Sequence, residues 1–227
     1  MAIRSGVSLL LPVCAAQTPP NILTPLPSSV EFSLCSSGEV TVAAKRGVLV
    51  QAWINGIGPF DVVVDTGSGS LISFRLAKRL GLKIEGSGTV IGFGGSAQVQ
   101  SAAVERVQIG GLTLHHLVFA VFDPPAPSGQ DFVVIGDQLL LHTVLRIDFD
   151  RQEITFFDQN HFQYFGNGIS VPIHMQNNGV LADGSVDGIP GLFGIDTGDM
   201  HSLTLLAPLV AQRDLVRHYN AAVRGIC

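Results

Sequence analysis

From Val48 onward the apolar residues fall on alternate positions: Val48, Val50, Ala52 and Ile54, then Phe60, Val62 and Val64. A period of two places one row of side chains on one face, as a half-buried strand requires. Between the two rows Asn55-Gly56 predicts a tight hairpin, because both residues tolerate positive φ. The stretch from Ser73 to Leu80 predicts a short helix that Gly81 stops. Further hairpins are expected around Gly92 to Gly95, at Gly110-Gly111 between residues 104–109 and 112–122, and at Asp150-Arg151 between residues 144–149 and 153–157. Phe132 to Ile135 is a short apolar run that ends at Gly136. A second helix is expected over Leu206 to Val223, with Pro208 tolerated in its first turn. The elements are mostly short strands joined by turns, which predicts a mainly β fold.

Part of this pattern occurs twice. Asn55-Gly56-Ile57-Gly58-Pro59-Phe60 leads to Val62-Val63-Val64-Asp65-Thr66-Gly67, and Asp187-Gly188-Ile189-Pro190-Gly191-Leu192-Phe193 leads to Gly194-Ile195-Asp196-Thr197-Gly198. The two triplets lie one residue closer together than the two turns do. An internal duplication is the simplest account.

Composition narrows the class. The chain has 227 residues, 46% of them hydrophobic and 14% charged, which is enough for one large core or two small ones and too apolar for a disordered chain. The net charge is -5 with no basic block, so the footprint of a nucleic-acid binder is missing. No apolar run approaches the roughly 20 residues of a membrane span. Arg4, the apolar stretch Gly6 to Val13 and the small residues around Cys14 to Ala16 predict a secretory leader over residues 1–16, and hence export. Residues 17–39, rich in Pro and Ser, read as a lead-in, and the folded part is expected from Val40. The repeat then divides the chain into a first unit, 40–158, and a second, 159–227. Cys35 and Cys227 could pair in an oxidising compartment, and sequence leaves that open.

The chemistry suggested by the two triplets is specific. An Asp at the end of an apolar strand is desolvated, which opposes its ionisation. Gly67 and Gly198 lack side chains, so another backbone can come close. Thr66 and Thr197 carry hydroxyls that can donate across an interface. If the two turns face each other, Asp65 and Asp196 share a site and hold one proton between them. One then serves as base on a water and the other as acid on a carbonyl oxygen, with no metal or cofactor. The seven His residues show no ligand spacing, and His115 and His116 should point to opposite faces of a strand. Ser68 and Ser70 lack the setting of a nucleophile, and no phosphate-binding loop is present.

Val62-Val63-Val64-Asp65-Thr66-Gly67-Ser68 resembles the active-site loop of pepsin-like and retropepsin-like aspartic peptidases. Val134-Ile135-Gly136-Asp137 resembles the apolar-apolar-Gly strand that passes beneath that loop. Ile91-Gly92-Phe93-Gly94-Gly95-Ser96 resembles the flap hairpin that closes over substrate. The likeness is greatest to bacterial retropepsin-like proteins with two lobes in one chain. It implies acid-protease β-barrel lobes with short helices, one complete and a second partial. It also implies that Asp65 and Asp196 hold the catalytic water, and that Thr66, Gly67, Ser68, Gly136, Thr197 and Gly198 support the two loops. The flap residues Gly92, Phe93, Gly94 and Gly95 would contact an extended peptide or protein substrate.

Two departures from the family pattern stand out. Asp199 occupies the place of a Ser or Thr, removing a hydroxyl and adding a carboxylate near the pair. No second flap or second apolar-apolar-Gly strand follows Gly198. Two other readings therefore stay open: a homodimer that pairs Asp65 from two chains, and a peptide-binding module without catalysis.

Overall fold

The computed structural model of the chain describes residues 8–11, 30–34, 38–46, 48–92, 95–123, 131–176, 179–199, 201 and 203–219. In chain order the first strands are β1 (Ser8–Leu11), β2 (Glu31–Ser33), β3 (Glu39–Ala43), β4 (Leu49–Ile54), β5 (Ile57–Val64) and β6 (Leu71–Ile72). Helix α1 (Phe74–Arg79) precedes β7 (Ile84–Gly92), β8 (Gly95–Ile109), β9 (Leu112–Val121) and β10 (Val133–Ile135). Helix α2 (Asp137–Leu140) leads to β11 (Thr143–Asp148) and β12 (Glu153–Asp158). The second unit holds β13 (Ile173–Gln176), β14 (Gly179–Val186), β15 (Ile189–Gly194), α3 (Ala207–Gln212) and α4 (Leu215–Tyr219).

The predicted turns form for the reasons expected. Asn55 and Gly56 both adopt positive φ, and so do Asp187 and Gly188. Ser73 caps α1 by accepting from Leu76 N–H at 3.3 Å, and Gly81 follows the helix at φ +66°. Gly110 turns β8 into β9, where an added Cβ would sit 2.8 Å from Val42.

β9, β6, β10, β5, β4 and β8 pair in that order, and a further β9–β8 pairing closes them into a six-stranded barrel. Its interior is filled by side chains such as Val62, Val64, Leu114, Leu117, Phe119 and Ile135, all fully buried. Each such residue contributes about 1.5–3 kcal/mol of transfer free energy. β8 and β9 change face together at Glu105 and His116. Ala102 and Val104 are buried on one side of that point and Val107 and Ile109 on the other. His116 has φ +59°, which breaks the alternation, so His115 and His116 do not simply oppose each other; their rings lie 6.0 Å apart. A second sheet, in the order β1-β11-β12-β3, adds Leu145, Ile147, Ile154 and Phe156 to the same core.

The second unit is thinner. β13, β14 and β15 form a separate three-stranded sheet with β15 at its edge. Among the described residues beyond 160, the buried apolar side chains are Val180, Ala182 and Leu215, while Phe165, Ile169, Leu192 and Val216 are exposed. The chain thus has one complete acid-protease-like barrel and a partial second unit.

One expectation needs correction. The helix expected over Leu206 to Val223 is two short helices, because Asp214 takes φ +49° and breaks the run. Strand pairing starts before Val40, since Glu31–Ser33 adds to the edge of β9. Within the expected leader, Ser8–Leu11 pairs with β11. The remaining leader residues, most of the lead-in, and Cys14, Cys35 and Cys227 lie outside the described residues.

The repeat is visible in three dimensions, and so is its missing residue. In the second copy the β14–β15 register is unbroken from the turn to Gly194. In the first, the β4–β5 register shifts between Ala52 and Ile54, which inserts one residue into β5 as a bulge at Gly58-Pro59. Gly58 suits that bulge, because a Cβ there would sit 2.8 Å from Ala52 O.

Candidate active site

β5 delivers Asp65 to the end of the barrel. β10 runs parallel to it, with Val134 opposite Val63 and Ile135 opposite Val64. Asp65 N–H donates to Ile135 O at 3.0 Å, and Asp137 N–H donates to Ser68 O at 3.1 Å. Gly136 lies between these bonds. A Cβ on it would fall 1.8 Å from Ser68 O, a distance no side chain can occupy. The loop 65–68 is thus laid on the end of β10.

The second loop meets the first across a local twofold. Thr66 N–H donates to Thr197 Oγ1 at 3.1 Å, and Thr197 N–H donates to Thr66 Oγ1 at 3.1 Å. Each hydroxyl then donates into the opposite strand end: Thr66 Oγ1 to Ile195 O, and Thr197 Oγ1 to Val64 O at 2.7 Å. Thr66 is fully buried, so these bonds satisfy groups that water does not reach. The glycines are reciprocal too. A Cβ on Gly67 would lie 2.5 Å from Asp196 Cγ, and one on Gly198 would lie 2.3 Å from Asp65 Oδ2. Each carboxylate rests over the other loop's glycine.

The two carboxyl groups are held alike by their own loops. Gly67 N–H donates to Asp65 Oδ1 at 2.7 Å, and Gly198 N–H donates to Asp196 Oδ1 at 2.8 Å. They differ at the next residue. Ser68 Oγ donates to Asp65 Oδ2 at 2.9 Å, whereas Asp199 offers its backbone N–H to Asp196 Oδ1 at 3.1 Å. The Asp199 carboxylate turns to His201 and Thr204, whose donors hold it below the usual carboxylate range, Thr204 first.

Asp196 is pushed up to about 6, first by burial and then by the Asp65 carboxyl beside it. The Gly198 and Asp199 N–H groups pull the other way without cancelling the rise. Two carboxyls set this close disfavour double ionisation and can hold one proton jointly. Such a pair can accept a proton from one partner and donate one to another in the same step.

Of the residues expected at the site, Asp65, Thr66, Gly67, Ser68, Gly136, Asp196, Thr197 and Gly198 come together here. Of the flap residues, Gly92 pairs with Gly95 at the tip of the β7–β8 hairpin, and Phe93 and Gly94 lie outside the described residues. Sequence reasoning passed over three residues. His201 and Thr204 hold the Asp199 carboxylate, and the short spacing Asp199, His201, Thr204 was the available signal. Asp137, directly behind Gly136, is buried and pushed up to about 6 by that burial.

Beside Asp196 lies a cavity of about 370 Å³ between β15 and α3, walled by Ile189, Leu192, Leu203 and Leu206 and touching Asp199 and His201. In the first unit β10 pairs along β5 up to Val64, next to Asp65.

Residues 50–144 match the model of a family described as aspartyl protease, a span from β4 into β11 that includes the Asp65 loop and Gly136. No curated protein matches the chain.

Proposed function

We propose, from the match of residues 50–144 to the aspartyl protease family model, that the chain is an aspartic endopeptidase working through Asp65 and Asp196. The observation that carries this reading is the reciprocal packing of the two loops, with each carboxylate over the opposite glycine and the Asp65 carboxyl near enough to raise Asp196. A water between the two carboxyls would give its proton to the ionised member and attack the peptide carbonyl. The protonated member would donate to the carbonyl oxygen; on collapse of the tetrahedral intermediate the member that took the water's proton would give it to the departing amine, and the other would take the proton of one hydroxyl, restoring the pair. The substrate is an extended peptide, bound alongside the β7–β8 hairpin by main-chain hydrogen bonds.

The contacts of Thr66 with Thr197 within one chain favour an Asp65–Asp196 pair over a dimer that matches Asp65 with Asp65. The test is cleavage of an unfolded protein and a quenched-peptide library by the purified chain between pH 3 and 8. D65N and D196N should each reduce kcat at least about a thousandfold, since neither leaves a pair that can share a proton. Full activity in D196N would rule out the intrachain pair. An inert wild-type chain that still binds the peptides would favour the binding-module reading.

A further inference from the structure

The first loop is braced from beneath. Ser68 O accepts from Asp137 N–H at the end of β10, and Gly136 packs directly against that carbonyl. This bracing fixes the turn that brings Ser68 Oγ to Asp65 Oδ2. The second loop has no strand in that place among the described residues. β15 is the edge of its sheet, and no described carbonyl accepts from Asp196 N–H, the counterpart of the Asp65 N–H bond to Ile135 O.

Yet Asp199, the residue matching Ser68, is well held. Its Oδ1 accepts from His201 N–H at 2.9 Å and lies 2.8 Å from His201 Nδ1. Its Oδ2 accepts from Thr204 Oγ1 at 2.6 Å. A carboxylate can gather three donors from residues two and five positions on, which a single Ser or Thr hydroxyl cannot do. Donors to an ionised acceptor make strong bonds. Asp199, held in this way, points its N–H at Asp196 Oδ1, beside that of Gly198.

We propose that Asp199 is a positioning residue for Asp196: its carboxylate, tied to His201 and Thr204, aims its own backbone N–H at Asp196, replacing the brace that β10 gives the first loop. The substitution of Asp for a hydroxyl residue is then a compensation and not a defect. It avoids setting a second anion against Asp196, because the added charge faces His201 and Thr204. The titratable groups around Asp196 are Asp65 across the twofold and Asp199 and His201 in its own loop; the other walls of the adjoining cavity are mostly apolar.

The inference rests on the proposed role of Asp196 only for its catalytic consequence, so the test reads Asp196 itself. The full chain is labelled with carbon-13 at the Asp carboxyls, and the Asp196 signal is assigned by its loss in D196N. In D199A these ties are gone and the N–H wanders, so the Asp196 midpoint should rise by about half a pH unit or more. T204V should shift it the same way by a smaller amount. In D199N the side-chain oxygen still accepts from His201 and the amide can donate to Thr204 Oγ1, so the midpoint should stay or fall slightly as the charge is lost. An unchanged midpoint in both D199A and T204V, or a rise in D199N equal to that in D199A, would overturn the proposal. If D199A does not fold, T204V against D199N decides. Where peptidolysis is measured, D199A should lower kcat about tenfold with KM within about twofold, and D199N should restore most of it. An inactive wild type would count against the dyad while leaving the titration readable.

Discussion

Thr66 and Thr197 exchange hydrogen bonds, each backbone N–H donating to the other's hydroxyl at 3.1 Å. Four bonds depend on these two side chains, and they tie the strand ends that carry Asp65 and Asp196. T66V would leave Thr197 N–H and Ile195 O without partners in a buried place. We expect T66V to destabilise the chain by about 2–4 kcal/mol, read by urea unfolding, and to lower kcat by tenfold or more. T66S keeps the hydroxyl and should stay within about 1 kcal/mol. The T66V/T197V double variant should be less damaging than the sum of the singles, because the second change removes partners already lost.

Gly136 supports the first loop through what it lacks. A methyl group there would meet Ser68 O at 1.8 Å, so G136A must push the Asp65 loop off β10. The expected result is a loss of about 3 kcal/mol or more, together with loss of activity. Gly188 is the comparison: it has φ +78° but open space around its Cβ position. G188A should cost about 1 kcal/mol from backbone strain alone and spare activity. Equal effects of the two substitutions would show that the contact with Ser68 is unimportant.

The shared proton sets an upper pH limit. With Asp196 pushed up to about 6, the pair loses its proton above that pH and no acid remains for the carbonyl oxygen. The kcat/KM for a neutral peptide should therefore fall above about pH 6, approaching tenfold per pH unit. In D65N, carbon-13 titration should find Asp196 lowered but still above the ordinary carboxylate range. The substitution removes the Asp65 charge and leaves burial, the larger cause.

Asp137 makes stability depend on pH in a direction opposite to the usual carboxylate. Burial pushes it up to about 6, above its unfolded value near 4, so the folded chain holds this proton more tightly than the unfolded chain. Its contribution is fully present below about pH 4 and is lost as pH rises through about 6. The loss is of order 3 kcal/mol by pH 8. D137N keeps an oxygen for the Gln138 N–H, which the wild-type Oδ1 accepts at 2.8 Å. It should match the wild type at pH 4 and exceed it by up to about 3 kcal/mol at pH 8, measured by urea unfolding. Equal stability at pH 8 would mean that Asp137 is solvated in solution.

Much of the first unit was legible in the chain because its signals are local. Alternation gave β4 and β5, Asn55-Gly56 gave their turn, and Ser73 with Gly81 bounded α1. The helix after residue 206 was misjudged for an equally local reason: apolar spacing continues through Asp214, and only the positive φ there breaks it. The change of face at Glu105 and His116 was hidden because it serves barrel closure, which no window of sequence contains.

The sequence by itself determined the two triplets, their paired hairpins and the demand for glycine at 67 and 198, since each follows from residue type and short spacing. Tertiary structure alone decided which groups meet. The exchange between Thr66 and Thr197, the burial of Asp137 behind the loop and the turning of the Asp199 carboxylate toward His201 and Thr204 are contacts between segments or across a turn. Their energies come from desolvation and facing partners, and both exist only once the chain has folded.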